Sequence, residues 1–439
     1  MACPARVLHD RAADVIVIGG GIVGLSTAYY LARRGMRVIL LEKGRLGWEQ
    51  SSRNWGFVRQ QGRDPAELPM SALSNRIWRG LSEELGADVE WVQGGNLALA
   101  RDTDDLDRYA EGARAARAVG IDTRVLTADE VRALFPEFQG PFTGGLYTAS
   151  DGQADPLKAT LAFAKGARDA GADLREHCAV NAILSRDGRV TGVLTDAGEL
   201  RADAIVCAAG SHSSFLGRTV GLRLPQRSMR ATVAATTPVP PLTKLGVWAS
   251  GLGFRQARDG SVILGRASAG TAEHDLTLES LRHLRLFLPI FLRNRDLFRL
   301  RIGRPLVRDV LRHVPGTAAA RRPFAHLVDQ EPAANPHTVQ SSLAMFHRYF
   351  PHCATAGIAR SWAGMIEATP DLLPVLGEVQ ACRGFFFATG FSGHGFGLGP
   401  GAAHCLAELI ATGRSALEVR AMRYERFAEG DMSTAAKIL

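Results

Sequence analysis

Residues 14–42, DVIVIGGGIVGLSTAYYLARRGMRVILLE, constrain the chain more tightly than any other stretch. Residues 14–18 form a short apolar, β-branched run, the pattern of a buried parallel strand. Gly19, Gly21 and Gly24 then fill a G-x-G-x-x-G frame. The first glycine permits a tight turn, the second lets backbone approach a pyrophosphate, and the third lets the next helix pack close to the strand. Residues 22–34, opening on Ile22 and Val23, carry apolar side chains at helical spacing and stop at Gly35, a natural C′ residue. A second strand over 37–41 delivers Glu42 at its end, where a carboxylate accepts hydrogen bonds from a ribose and repels a 2′-phosphate. A lone glycine frame is weak evidence. With strand, helix, second strand and terminal acid in register, the segment reads as a dinucleotide cradle.

With 439 residues the chain is too long for one compact core and calls for two connected domains. Its 46% hydrophobic and 22% charged content is that of an ordinary globular protein. No apolar run reaches the length of a membrane span, residues 1–13 lack a signal-peptide core, and the six scattered cysteines include no C-x-x-C. A reducing cytoplasm is the expected setting. The net charge of +8 is mostly arginine spread along the chain. No basic stretch is interleaved with aromatics, so nucleic acid is not an expected partner.

Beyond the cradle, residues 47–59 (GWEQSSRNWGFVR) form a small, polar loop able to wrap a phosphate or a flat ring with hydroxyls, amides and backbone N–H groups. Helices are expected over 72–85, over 102–119 with Asp102 as N-cap, in a short segment capped by Thr127 and Glu130, and over 156–170 after Asp155. Residues 91–100 read as a strand and 144–156 as a turn-rich link. Strands follow over 173–184, 189–194 and 200–208, the last ending in Ala208, Ala209 and Gly210, small enough for a second close approach to the cradle's ligand. Residues 228–265 have the alternation of an antiparallel sheet. A long arginine-rich section spans 275–335, in which 276–292 is expected to be helical and to cover the second domain, and 293–312 to face solvent, a partner subunit or an anionic membrane. Residues 337–350 read as a helix. Near the C-terminus, RSWAGMIEATPDLLPVLG (360–377) precedes GFFFATGFSGHGFGLGPG (384–401), a strand and a glycine-rich loop before a helix over 402–411. Such a loop offers N–H groups and a positive helix end to an electron-rich ligand.

Four of these stretches, in this order, resemble the D-amino-acid oxidase family of flavoproteins, in its glycine oxidase and sarcosine oxidase-like branch: GGGIVG with Glu42, the loop over 51–56, the strand end 208–210, and TPDLLPVLG with GFSGHGFG. The resemblance implies an α/β protein with a Rossmann-like, glutathione reductase-type FAD-binding domain and an α+β substrate domain built on a mixed antiparallel sheet. The FAD domain would comprise 1–91, 146–220 and 359–439, the substrate domain 92–145 and 221–358. Residues 19–24, Glu42 and Lys43 would hold pyrophosphate and adenosine ribose. Ser51, Ser52, Arg53, Asn54, Trp55 and Gly56 would wrap the flavin, Val180 would lie near the adenine, and Gly364, Gly393, His394, Gly395, Phe396, Gly397 and Leu398 would lie beside the isoalloxazine. The implied activity is oxidation of a substrate C–N bond by hydride transfer to flavin N5, giving an imine that water hydrolyses. The electron acceptor would be oxygen or a partner redox protein.

Departures from the branch are informative. Gly364 stands where its members carry a flavin-tethering Cys, so FAD is expected to be non-covalent. Gly397 stands where they carry a carboxylate-binding Lys, and the Lys that assists oxygen reduction has no counterpart. An arginine must then anchor the substrate carboxylate, with Arg59 the first candidate and Arg266 the second, beside His394. Alternative readings are a flavin subunit of a multi-subunit amino-acid or opine dehydrogenase, and a catalytically silent flavin-binding subunit.

Overall fold

The computed structural model describes residues 13–266, 270–312, 314–317 and 328–433. The first helix, Ile22–Ala32, decides the layering. Every one of its residues is buried, and a helix apolar all round must lie inside a protein. One side rests on a sheet whose centre is Ala13–Ile18, paired in parallel with Val38–Leu41 on one edge and Gly198–Cys207 on the other. The sheet extends through Phe385–Thr389 to Val375–Glu378 and, on the opposite side, to Asp173–Arg175. Gly395–Thr412 and Pro156–Asp169 pack along the same helix.

A larger sheet, ten-stranded among the described residues, runs in the order 298–301, 272–275, 227–236, 262–266, 252–256, 246–249, 96–100, 144–148 and 123–127. Ile358–Ala368 pairs with Arg227–Thr236 almost end to end. The sheet is mixed: Gly246–Ala249 runs parallel to Asn96–Ala100, while most other neighbours are antiparallel. Its core is aromatic, with Phe135, Phe254, Phe346 and Phe350 fully enclosed.

Several expectations need correction. The stretch 144–156 contains the strand Gly144–Thr148, which lies between Asn96–Ala100 and Thr123–Thr127. The boundary placed at 146 therefore cuts a strand, and the one at 359 assigns Ile358–Ala368 to the nucleotide sheet although it pairs in the larger one. The strand expected over 91–100 begins at Asn96, and the last helix begins at Gly395, not residue 402. Within the insertion, Leu278–Arg282 and Leu284–Arg293 are helical as expected. They bury only part of their apolar side chains: Ile290 is enclosed, but Leu281, Leu284, Leu288 and Leu292 are exposed. Phe298–Arg301 adds a parallel edge strand beside Ala272–Asp275.

Candidate functional site

A cleft of about 840 Å³, counting its open mouth, runs along the carboxyl ends of the first sheet's strands, where open α/β sheets hold their ligands. Its floor is the glycine frame. Gly19 has φ +110° and faces the Ala208 carbonyl, and a Cβ on Gly24 would collide with the Gly19 carbonyl. These two glycines are fixed by protein packing, whereas Gly21 opens on the cleft with only Ser51 Oγ near a Cβ, at 2.9 Å. Ser51 Oγ accepts from Ile22 N–H (2.8 Å), so the loop caps the helix whose first turn lines the cleft.

Glu42 stands at the end of its strand as expected. Its two carboxylate oxygens accept from Gly20 N–H (2.7 Å) and Gly44 N–H (2.8 Å). Burial raises its pKa, although Lys43 and these amides favour the charged form. Each oxygen keeps lone-pair capacity for a ribose hydroxyl. Lys43 is ion-paired with Glu49, whose other oxygen lies 3.7 Å from His212 Nε2.

Of the residues expected from sequence, Gly19, Gly21, Ile22, Val23, Glu42, Lys43, Ser51, Val180, Ala208, Ala209 and Gly210 all line this cleft. The rest of the loop does not. Ser52 Oγ donates to Trp48 O, Arg53 to Trp48 O and Ala363 O, and Asn54 closes a turn between Ser51 O and Gly56 N. Trp55 covers Gly253 and Gly265 of the larger sheet and lies 4.9 Å from Trp248. Gly56, with φ +83°, leaves room for Arg255. These residues join the two sheets. Gly364 faces Arg53, with a Cβ there 3.2 Å from that of the arginine. Sequence reasoning missed Arg45, His212, Glu367 and Phe391 as cleft residues, and it singled out the loop over 47–59 without naming Trp48, Glu49 and Gln50 within it. Trp48 could have been noticed as a tryptophan in a polar loop; its buried Nε1–H has no partner among the described residues.

At the far end, Gly393 takes φ +86° and His394 caps the helix Gly395–Thr412. Phe396 packs on Trp78, Gly397 O accepts from Ser74 and Trp78, and Leu398 is buried. A Cβ at Gly397 would sit 3.3 Å from Val58 Cα and 3.4 Å from Arg59 N, so main chain occupies the space a lysine stem would need. His394 Nδ1 lies 3.3 Å from Glu67 Oε1. Burial and the nearby Arg63 depress the histidine pKa, favouring the neutral ring. Burial opposes charge on Glu67 too, but His394 and Arg63 outweigh it and hold the carboxyl ionised.

Arg59 is 8% exposed, and its guanidinium lies 5.0 Å from the centre of the Trp248 ring. It makes no hydrogen bond or ion pair among the described residues. Burial, then Arg63, brings its pKa down to about 9. Behind it Asp151, pushed up to about 6 by burial, accepts from the main chain of Gln60 and Gln61. Arg266 ends its strand with a buried Nε that has no partner among the described residues, next to the Gly265 that Trp55 covers. Buried donors without acceptors cost free energy until an acceptor-rich ligand meets them.

Fold and cleft together define a dinucleotide-binding oxidoreductase, and the glycine cradle, the Glu42 carboxylate and the buried Trp48 donor fit FAD. The chain belongs to the DAO family of FAD-dependent oxidoreductases, which matches residues 14–409. It is 26% identical over 95% of its length to the beta subunit of sarcosine oxidase from Arthrobacter sp, of which it covers 92%. It is 28% identical to the mitochondrial sarcosine dehydrogenase of Homo sapiens over 97% of its length, yet spans only 42% of that longer protein. In solved structures its fold is matched by L-amino acid deaminase from Proteus myxofaciens in complex with anthranilate, with a TM-score of 0.90 and 24% identity over 97% of this chain and 96% of that one. Among the described residues no helix is long and apolar enough to cross a membrane, and no cluster of candidate metal ligands occurs.

Proposed function

We propose that this protein oxidises the C–N bond of an amino acid or N-substituted amino acid, with the substrate carboxylate held by Arg59. The supporting observation is the buried Arg59 guanidinium, which has no acceptor among the described residues. A planar guanidinium binds a carboxylate through two parallel bonds and so fixes the α-carbon. FAD, when bound, supplies the hydride acceptor for that carbon. The chain's own work is to orient and to exclude water: Trp55, Phe57 and Trp248 form an apolar wall beside Arg59. Neutral His394 can hold the amine's surrendered proton, and Glu67 fixes that ring. Anaerobic bleaching of the flavin by amino acids, N-alkyl amino acids or opines tests the reading. A yellow protein that no amine bleaches would be the silent subunit instead. Re-oxidation in air separates oxygen from a partner redox protein as acceptor.

We also propose an anionic lipid surface as the partner of residues 281–314. Ten of the fifteen large apolar side chains exposed among the described residues lie there, Ile302 at 79% and Leu281 at 67%. Nine arginines and two acids over 281–312 give this face a net charge of +7. Apolar side chains rimmed by cations suit a peripheral membrane contact. Co-sedimentation with phosphatidylserine vesicles, lost at high salt, is expected; a dimer in solution with no sedimentation would make the face a subunit contact. A cytoplasmic setting is supported by Cys207, Cys353, Cys382 and Cys405, which are buried free thiols.

A further inference from the structure

Glu367 has been given no role so far, yet it lines the cofactor cleft together with Gln50, Ala388 and Phe391. It belongs to Ile358–Ala368, and its carbonyl accepts from Ser392 N–H at 2.9 Å. That bond ties the strand to the glycine-rich loop, so the Glu367 main chain is fixed in the cleft wall between the two. Only 8% of the residue is exposed.

The charges around it are engaged elsewhere. In the cleft, Lys43 pairs with Glu49, Glu49 also meets His212, Arg45 pairs with Asp329, and Glu42 is held by backbone amides. Arg53 donates to Trp48 O and Ala363 O. On the neighbouring strand Arg230 pairs with Glu273, Arg227 lies over Phe287, and His274 bonds Ser228 O, opposite Glu367 in register. From the loop, His394 meets Glu67. Glu367 therefore forms no ion pair among the described residues, and the helix of Gln50 offers it an amide only.

We propose that Glu367 is a cofactor-binding acid: it faces FAD as a neutral carboxylic acid, donates a hydrogen bond to it, and so couples FAD affinity to proton binding. The inference rests on the FAD reading of the cleft. FAD is rich in acceptors and carries a diphosphate. A carboxylic acid can donate to those acceptors, whereas a carboxylate can only accept and is repelled by the diphosphate charge. Burial pushes the Glu367 carboxyl up to about 7, with Gln50 and the Phe391 main chain pulling weakly the other way. Bound FAD removes more water and adds negative charge, which raises the value further. The complex therefore holds a proton that the empty protein loses above neutrality. Linkage gives the sign: FAD binding is tightest below about pH 7 and weakens by up to roughly tenfold per pH unit above it, until the bound form also ionises.

The test uses the yellow holoprotein, diluted serially at several pH values while the fluorescence of released flavin reports Kd. The wild type should lose affinity as pH rises through neutrality. Glu367→Gln, which donates at every pH, should hold FAD with a Kd that does not change over that range and stays near the wild type's low-pH value. Glu367→Asp should keep the pH dependence. His212→Gln removes the imidazole that also lines the cleft and should leave the dependence intact. A wild-type Kd that is flat with pH, or an unchanged dependence in Glu367→Gln, overturns the proposal. If Glu367→Gln does not fold, proton uptake by the flavin-stripped wild-type chain on binding FAD near pH 8, read by calorimetry in two buffers, decides: uptake supports the proposal and none overturns it. Failure to bind FAD at any pH would instead overturn the underlying reading.

Discussion

Arg426 and Asp371 form a two-pronged ion pair inside the protein: Nε donates to Oδ2 at 2.8 Å and Nη2 to Oδ1 at 2.9 Å, with both side chains shut off from solvent. Arg426 also donates to the carbonyls of Leu373 and Arg423. The pair ties the segment after the last helix to the T-P-D turn, and so steadies the strand of Glu367 and the loop of His394. Removing one partner strands a buried charge, which costs about 3–5 kcal/mol. Asp371→Ala is expected to lower unfolding free energy by that amount in a denaturant titration. A loss below about 1 kcal/mol would mean that water reaches the arginine.

How much of this was legible in the sequence depended on the range of the physics involved. The segment 14–42 was readable because a glycine frame acts within a few residues, and Glu42 followed from it. The strand Gly144–Thr148 was not: its two glycines look like a turn, but a Cβ on Gly144 or Gly145 would press on the carbonyls of Leu126 and Ala98 in the flanking strands. The last helix was read as starting at 402 because glycines normally weaken helices. Here Gly397, Gly399 and Gly401 are contact points for Arg59, Val23 and Ser74, which only the folded chain reveals. Glu367 lies on a strand, and His212 follows one, that pairs with a segment more than a hundred residues away in the chain, for which a single sequence carries no local signal.

Gly24 gives the sharpest test of the cradle. A side chain there must push the first helix off the Gly19 carbonyl. Gly24→Ala is expected to yield a folded protein by circular dichroism that has lost most of its flavin, measured as the flavin-to-protein absorbance ratio. Full flavin content would show that the helix can move without opening the cradle.

The cofactor should be free to leave. Gly364 offers no sulfur, and among the described residues no cysteine lines the cleft. Acid precipitation should leave the yellow colour in the supernatant. Colour in the pellet would point to a covalent link, with His212 the nearest candidate.

The insertion reaches the cleft through Asp329. Asp329 accepts from Arg45 N–H (2.8 Å) and Arg45 Nε (3.0 Å), gripping the chain just after Glu42. Arg45 in turn lies 3.4 Å from the centre of the Trp48 ring. Asp329→Ala removes one charged hydrogen-bonded contact, so FAD Kd should rise roughly tenfold, corresponding to about 1.5 kcal/mol. An unchanged Kd would mean that the clamp does not hold the cofactor.

Arg59 carries the functional reading, and the decisive change there is a conservative one. Lysine keeps the positive charge and reaches a similar distance but cannot form two parallel bonds to a carboxylate. The guanidinium has no acceptor among the described residues, so the substrate's anion is its expected partner. Losing the fork should cost about 1.5–3 kcal/mol. In Arg59→Lys, substrate should have to be raised to between roughly ten and a hundred times its former concentration to half-saturate flavin reduction. The reduction itself should slow, because the α-carbon is no longer fixed, while flavin content stays at the parent's level. Stopped-flow reduction under nitrogen separates the two effects. If the variant reduces its flavin as fast as the parent at every substrate concentration, the carboxylate is held elsewhere. Arg266, whose buried Nε also lacks a partner among the described residues, is then the residue to change.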